Sequence, residues 1–345
     1  MNTHKKYIQR CIELAKKGLG TTYPNPLVGS VIVYGGKIIG EGWHRKAGTD
    51  HAEVVAINSV TDKQLLEEST LYVNLEPCSH FGKTPPCADL IIKYKIPNVV
   101  IGTTDPNPLV AGNGIKKLFD KGINVTVGVL EKECIELNKR FFTYVNQNRP
   151  YIILKWAQSA DGFIAPPPQT RDTNSAVWIS GERSRQLVHK WRTEENAIMI
   201  GTNTAVADNP QLTARDYFGN HPVRIVLDRS LRIPKENHIF DSHSKTIVVS
   251  IEPCVHDHAF CETMNFAGDV VKQLLSIMYK HEITSVIIEG GTKTLQTFID
   301  ADIWDEMRIF RGELFLTDGI QAPSLKAKPV ERAMIGKDEL LIFKR

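Results

Sequence analysis

The sequence predicts an α/β protein of two domains, and three observations carry that prediction. At 345 residues the chain is longer than one ordinary domain needs. Short apolar, β-branched runs alternate with amphipathic helical stretches, the pattern of sheets layered with helices. Asn146-Gln147-Asn148-Arg149-Pro150 interrupts that alternation as a polar, proline-ended linker. The expected domains are residues 1–147 and 150–345.

In the first domain Tyr7, Cys11, Leu14 and Ala15 share one helix face, and Gly18 and Gly20 end that helix. Pro24-Asn25-Pro26 is a rigid turn, followed by a strand over 28–33. Gly35-Gly36 folds that strand back into Lys37-Ile38-Ile39-Gly40 as a hairpin. Asp50 reads as the N-cap of a helix starting at His51 and carrying Val54, Val55 and Ile57. Residues 70–74 form a strand, and Cys78 lies just past its end. Cys87 opens the next helix, over 88–94, whose N-terminal partial charge favours the Cys87 thiolate. Val99-Val100-Ile101 is a further strand.

In the second domain residues 151–156 are a strand leading to the tight turn Ser159-Ala160-Asp161-Gly162. A helix over 182–192 turns Leu187, Val188 and Trp191 inward. Residues 197–201, 223–227, 246–249 and 285–289 are strands, and 269–280 is a helix. Gly290-Gly291-Thr292 joins the last of these strands to a helix through Phe298. Exposed N–H groups at such a helix start attract anions, although two glycines at a strand end are more often only a turn.

Composition excludes several classes. With 42% hydrophobic and 23% charged residues the chain is ordinary globular material, and a net charge of +3 argues against a dedicated nucleic-acid binder. No apolar run approaches the ~18 residues of a membrane span. The opening residues read as an amphipathic helix and not a signal sequence, so a cytoplasmic protein is expected. The six cysteines, at 11, 78, 87, 134, 254 and 261, are scattered without a disulfide framework.

The chemistry concentrates between Asp50 and Cys87. His51, Cys78 and Cys87 offer one imidazole and two thiols, a set that suits zinc with three protein ligands and an open position. Zinc lowers the pKa of a bound water towards about 7, and Glu53 is placed to move protons rather than to bind metal. H-x-E followed by P-C-x-x-C marks zinc deaminases of nucleobases; here the second half is stretched to eight intervening residues. A structural site with His44 or His80 as fourth ligand is the competing reading, but it lacks the usual paired knuckles. Asn25 could present a rigid amide, His44 and His80 could meet an anion or a base edge, and Lys83 could meet a phosphate. Cys254, His256, His258 and Cys261 look like a second metal site, but their spacing fits no usual zinc pattern.

The runs Asn25-Pro26-Leu27-Val28-Gly29, His51-Ala52-Glu53, Glu76 to Cys87 and Asp105 to Gly112 resemble the bifunctional deaminase/reductase family of riboflavin biosynthesis. That family carries the long insert between its thiols. The resemblance implies a cytidine-deaminase-like three-layer domain acting on a diaminohydroxypyrimidine with a phosphoribosylamino arm, its pocket lined by Asn25, His44, His80 and Lys83. The second half resembles the same family at Leu154-Lys155, Ser159 to Gly162, Trp178-Ile179-Ser180, Gly201-Thr202, Ala207 to Pro210 and Ile288 to Gly291.

For that half the resemblance implies a dihydrofolate-reductase-like α/β domain using NADPH to reduce the ribosyl chain to ribityl. Ala157, Trp178, Thr204, Asp208, Gly291 and Thr292 are then expected at the cofactor. Arg192, Leu212, Arg215 and Glu289 are expected at the sugar-phosphate, since forked arginines suit phosphate. Lys155, Asp208 and Glu289 are the catalytic candidates, with Glu53 in the first domain. A homo-oligomer, a small-molecule substrate and no nucleic-acid or membrane partner complete the expectation. Two departures are visible: a lengthened loop starting at Pro166-Pro167-Pro168, and a C-terminal part from Gly312 onward that lacks an expected glycine-rich segment, which predicts a trimmed domain end. The rival expectation is a nucleoside or tRNA-base deaminase with an accessory dinucleotide-binding domain; a zinc-stabilised binding module is the non-enzyme one.

Overall fold

A computed structural model describes residues 3–79, 85–108, 110–167, 169 and 177–345. The chain divides into two compact units, Met1–Asn148 and Arg149–Arg345.

In the first unit α1 (Thr3–Ala15) buries Tyr7, Ile8, Cys11, Ile12, Leu14 and Ala15, one stripe at helical spacing. β1 (Gly29–Tyr34) turns through Gly35 and Gly36, both at positive φ, into β2 (Lys37–Trp43). Then follow α2 (Ala52–Ser59), β3 (Thr70–Leu75), α3 (Cys87–Lys93), β4 (Asn98–Thr103), α4 (Asn113–Phe119) and β5 (Asn124–Val127). The unit closes with α5 (Glu131–Leu137) and α6 (Lys139–Gln147). The sheet order is β2-β1-β3-β4-β5, antiparallel at β1 and parallel from β3 to β5.

Strand alternation gives this sheet two apolar faces. Ile32, Leu71, Val73, Val99 and Ile101 pack with α2 and α3 on one side. Val31, Val33, Tyr72 and Val100 pack with α1 on the other. The approach of α2 to β2 needs glycine: a Cβ at Gly42 would lie 2.5 Å from the Ala52 carbonyl oxygen, and one at Gly40 would lie 2.6 Å from that of Ala56. Two expectations shift here. The N-cap of α2 is His51 and not Asp50, with no side-chain capping bond, because the imidazole is turned to the cysteines. Asn146 and Gln147, read as linker, are the last residues of α6, which Asn148 ends in the left-handed region.

In the second unit β6 (Tyr151–Gln158), β7 (Phe163–Ala165), α7 (Glu182–Glu194), β8 (Ala197–Gly201) and α8 (Thr202–Asp208) come first. β9 (Val223–Leu227), β10 (Thr246–Ser250), β11 (Ala259–Thr263), α9 (Val270–Lys280), β12 (Ser285–Glu289) and α10 (Thr292–Asp300) follow. β13 (Glu306–Arg311), β14 (Ile320–Gln321), β15 (Glu331–Ile335) and β16 (Asp338–Lys344) complete it. The nine-stranded sheet runs β11-β10-β9-β8-β12-β6-β13-β16-β15, parallel from β11 to β13 and antiparallel beyond. Ile152, Leu154 and Trp156 face one core with α9 and α10. Tyr151 and Ile153 face the other, with Val188 and Trp191 of α7.

Two features differ from expectation, and a third falls largely outside the described residues. The domain end is not trimmed: β15 and β16 form a hairpin that extends the sheet beside β13. The pattern hid this because β15 is partly exposed and alternates weakly. Cys254 and Cys261 are a disulfide with Cα atoms 5.6 Å apart, and not free thiols. The connection over 251–258 brings the chain directly back beside β10, which lays Cys261 in β11 against Cys254. Between them, His256 stacks on Phe240 at 4.0 Å. The expected loop lengthening falls largely on 168 and 170–176, outside the described residues.

Candidate metal centre and a charged site at the strand ends

The first site collects at the starts of two helices. His51 caps α2, Glu53 lies in its first turn, Cys87 opens α3, and Cys78 follows β3. His51 Nδ1 is 3.3 Å from Cys87 Sγ and 3.5 Å from Cys78 Sγ. Ligand atoms of all three residues lie within 4.8 Å of one another. One nitrogen and two soft sulfurs fit zinc, with a position left over.

The helix-start effect acts on a different sulfur from the one expected. The backbone N–H of Cys87 donates to Cys78 Sγ at 3.3 Å. Hydrogen bonding from Cys87 and His51 holds the Cys78 thiol well below its ordinary value, while the Cys78 sulfur and burial push Cys87 up. Glu53 is 3% exposed, and burial, with Cys78, pushes its carboxyl up to about 7. A carboxyl so placed exchanges a proton near neutrality.

Around this cluster a histidine and an amide are locked together. His44 Nδ1 is 3.1 Å from the Asp50 carbonyl oxygen, so it carries the hydrogen and leaves Nε2 to accept from Asn25 Nδ2 at 3.1 Å. Burial lowers the His44 pKa, which keeps it in that neutral form. Its ring meets that of His51 edge-on at 5.5 Å. Asn25 is steadied from behind: the Leu27 N–H donates to Asn138 Oδ1, and the Leu27 carbonyl accepts from Asn74 and Asn138. Neither buried asparagine was foreseen, because their partners are distant in sequence. His80 and Lys83 lie outside the described residues.

Glu76 anchors the loop of Cys78. Its carboxylate accepts from the N–H groups of Asp105, Gly112, Gly114 and Ile115 at 2.9–3.3 Å.

The second site lies on the α7 face of the larger sheet. Parallel register sets Glu289 of β12 beside Lys155 of β6, and Lys155 beside Arg308 of β13. A row of charge therefore crosses three adjacent strands. Arg192 of α7 donates to Glu289 Oε2 at 2.9 Å, and Lys155 Nζ is 3.7 Å from Glu289 Oε1. Burial alone would raise the Glu289 carboxyl, but Arg192 and Lys155 hold it down at about 2. Burial also lowers the Lys155 pKa, against the pull of Glu289. Arg308 lies over the Trp191 ring, 4.6 Å from its centroid, and pairs with Glu306 at 2.7 Å. Arg308, Glu306 and His189 were not singled out from sequence; a charged residue inside an apolar strand was the available signal for the first two.

The remaining residues sort by element. Gly291 caps α10, and its N–H donates to Thr204 Oγ1 of α8 at 3.0 Å, so those two neighbouring helix starts are joined. Thr292 is hydrogen-bonded to the Gln321 carbonyl. Asp208 ends α8 and is exposed; Ala157 is near the end of β6. Trp178 is 59% exposed, with Arg185 over its ring. Leu212 is buried at φ 56°, and Arg215 is exposed on the loop beyond it. Arg192 Nη1 ties that loop to α7 through the Thr213 carbonyl at 3.2 Å.

Comparison with known proteins agrees with both halves. Residues 1–103 match the cytidine and deoxycytidylate deaminase zinc-binding region, and residues 150–325 match the RibD C-terminal domain. The chain is 39% identical to the riboflavin biosynthesis protein RibD of Aquifex aeolicus, over 99% of this chain and 98% of that one. It is 38% identical to RibD of Actinobacillus pleuropneumoniae, over 99% and 95%. The crystal structure of a diaminohydroxyphosphoribosylaminopyrimidine deaminase/5-amino-6-(5-phosphoribosylamino)uracil reductase from Thermotoga maritima superposes with a TM-score of 0.89 at 37% identity, covering 99% and 98%. The first unit has the cytidine-deaminase-like fold and the second the dihydrofolate-reductase-like reductase fold. The match over 150–325 disfavours a base deaminase with an accessory domain. The chain belongs to the RibD family of bifunctional riboflavin biosynthesis enzymes, with a zinc-dependent deaminase and an NADPH-dependent reductase in one polypeptide.

Proposed function

We propose that the chain converts one phosphoribosylaminopyrimidine in two steps, hydrolytic deamination by residues of the first unit and reduction of the ribosyl chain by residues of the second. The observation that carries the first assignment is Glu53, buried beside His51, Cys78 and Cys87 with its carboxyl near neutrality. Zinc held by those three residues supplies a polarised water when bound. Glu53 would carry the two protons of the attacking water in turn, one to the ring nitrogen and the other to the departing amine, which leaves as ammonia. Asn25 and His44 orient the pyrimidine edge, and the family resemblance adds His80 and Lys83 as substrate-binding residues.

In the second step NADPH supplies the hydride when bound. Ala157, Trp178, Thr204, Asp208, Gly291 and Thr292 hold it, and the positive end of the α10 dipole suits its phosphates. Arg192, Leu212, Arg215 and Glu289 hold the sugar-phosphate. Lys155, Asp208 and Glu289 orient the ribosyl C1, and the low pKa of Glu289 keeps a carboxylate there.

The substrate is a small phosphorylated molecule and not nucleic acid, which the net charge of +3 supports. The cytoplasm is the proposed location; among the described residues no helix is long and apolar enough to cross a membrane. Self-association is proposed on the exposed Phe260 and Met334 of the two edge strands. Incubating the diaminopyrimidine substrate with and without NADPH tests the reading. Ammonia is expected in both cases, and the ribityl product, identified by mass, only with NADPH. Ammonia release that survives removal of zinc would refute the first assignment.

A further inference from the structure

One side chain beside the charged row has no task in the scheme above. His189 lies one turn before Arg192 on α7 and is 4% exposed. Its Nε2 is 3.1 Å from Asp216 Oδ2, while its Nδ1 is buried without a hydrogen-bond partner among the described residues. Burial, then Arg192, pushes the imidazole down to about 4, so the ring is neutral near neutral pH and carries one N–H. A carboxylate only accepts, so the hydrogen sits on Nε2 and Nδ1 is a bare acceptor.

Nδ1 has company. Among the described residues Arg192 Nε and Glu289 Oε1 are also buried without a hydrogen-bond partner, although Lys155 Nζ lies 3.7 Å from Oε1, and both Arg192 and Glu289 act electrostatically on the His189 ring. Of the two acceptors, His189 Nδ1 is the one without a charged partner among the described residues, since Glu289 Oε1 faces the Lys155 ammonium. Folded proteins rarely leave such atoms unmet unless water or a ligand fills the place. A phosphate, which only accepts at neutral pH apart from a residual proton, would leave the His189 Nδ1 acceptor bare. A hydroxyl group can donate, so it can meet the bare Nδ1 where a phosphate oxygen cannot. The loop opposite is strapped to the same helix by the Arg192–Thr213 bond, by His189–Asp216, and by Gly219, where a Cβ would lie 2.6 Å from Thr193 Cβ.

We propose that His189 is a further substrate-binding residue of the reductase site, its Nδ1 accepting a hydrogen bond from a hydroxyl of the ribosyl chain while Asp216 fixes the tautomer. The inference rests on the reductase reading of the second unit.

The test uses the full chain, the deaminated substrate, and analogues lacking the 2′- or the 3′-hydroxyl, with NADPH oxidation as the readout. The wild type is expected to lose about tenfold in kcat/KM on one of the two analogues. His189→Gln reaches the Nε2 position and leaves the Nδ1 position empty. It is expected to raise the substrate KM about tenfold, to leave the NADPH KM unchanged, and to become indifferent to that same hydroxyl. His189→Asn returns a polar atom near the Nδ1 position and is expected to recover part of the sensitivity. A wild type indifferent to both hydroxyls overturns the proposal without any variant, as does a His189→Gln protein that discriminates as the wild type does. A wild type that oxidises no NADPH with the full substrate overturns the reductase reading, and the inference with it.

Discussion

Arg192 Nη2 lies 2.9 Å from Glu289 Oε2 and joins the last turn of α7 to the end of β12. Breaking one partner of a buried pair costs about 3–5 kcal/mol. Glu289→Gln is expected to destabilise by about 3 kcal/mol near neutral pH, because Arg192 and Lys155 are left facing each other. The carboxyl lies at about 2 in the folded chain against 4.5 for an ordinary glutamate. A depressed value means stability present above the ordinary pKa and lost as pH falls towards the folded one. The variant is therefore expected to lose less stability than the wild type between about pH 5 and pH 2. Urea unfolding across that range reads both effects, and parallel acid limbs would contradict the pairing.

Glu53→Gln preserves the shape of the side chain and removes its proton chemistry. Zinc content is expected to stay unchanged, since Glu53 is not among the three grouped ligands. Ammonia release should fall by about 10²–10⁴-fold, with NADPH oxidation on pre-deaminated substrate unaffected. Metal analysis and the two separate assays check this. Loss of metal in the variant would recast Glu53 as a ligand.

Glu76→Ala strands the N–H groups of Asp105, Gly112, Gly114 and Ile115. A loss of about 3 kcal/mol is expected from bonds to a charged acceptor. Because Cys78 is two residues further on, zinc affinity should drop about 10–100-fold, as for other supports of metal ligands. Denaturant midpoints and competition with a chelator measure the two effects. Unchanged zinc affinity in a folded variant would separate this carboxylate from the metal centre.

Cys254 and Cys261 are bonded, whereas Cys11, Cys78, Cys87 and Cys134 carry free thiols. Thiol titration of zinc-free, denatured and unreduced protein is expected to find those four and not all six. Closing so short a loop stabilises by about 2–3 kcal/mol in the chain-entropy view. Cys254→Ser is thus expected to lower stability by up to that amount without changing either activity. A count of six thiols in protein kept from reductants would refute the bridge.

Much of the fold was legible because its signals are local. The strand over 70–74 and the helix starting at Cys87 followed from apolar alternation and spacing within a few residues. β11, β13 and the β15–β16 hairpin were not named, since edge or mixed-polarity strands such as Glu306-Met307-Arg308 dilute that alternation. The grouping of His51, Cys78 and Cys87 was legible because His51 and Glu53 share one helix start and the two thiols are close in sequence. The asparagine clamp on Leu27 was not, because Asn74 and Asn138 reach it from far along the chain.

What the sequence by itself determined is the inventory and its local order: a nitrogen and two sulfurs beside a carboxylate, strands alternating with helices, glycines where chain elements touch. Only the tertiary structure decided which of those groups share a neighbourhood. The Glu289–Lys155–Arg308 row exists because β12, β6 and β13 lie side by side in one register. The N–H of Cys87 serves the sulfur of Cys78 because α3 begins against the loop that leaves β3. Pairing between distant strands depends on the packing of whole layers, and that packing leaves no short-range trace in the order of residues.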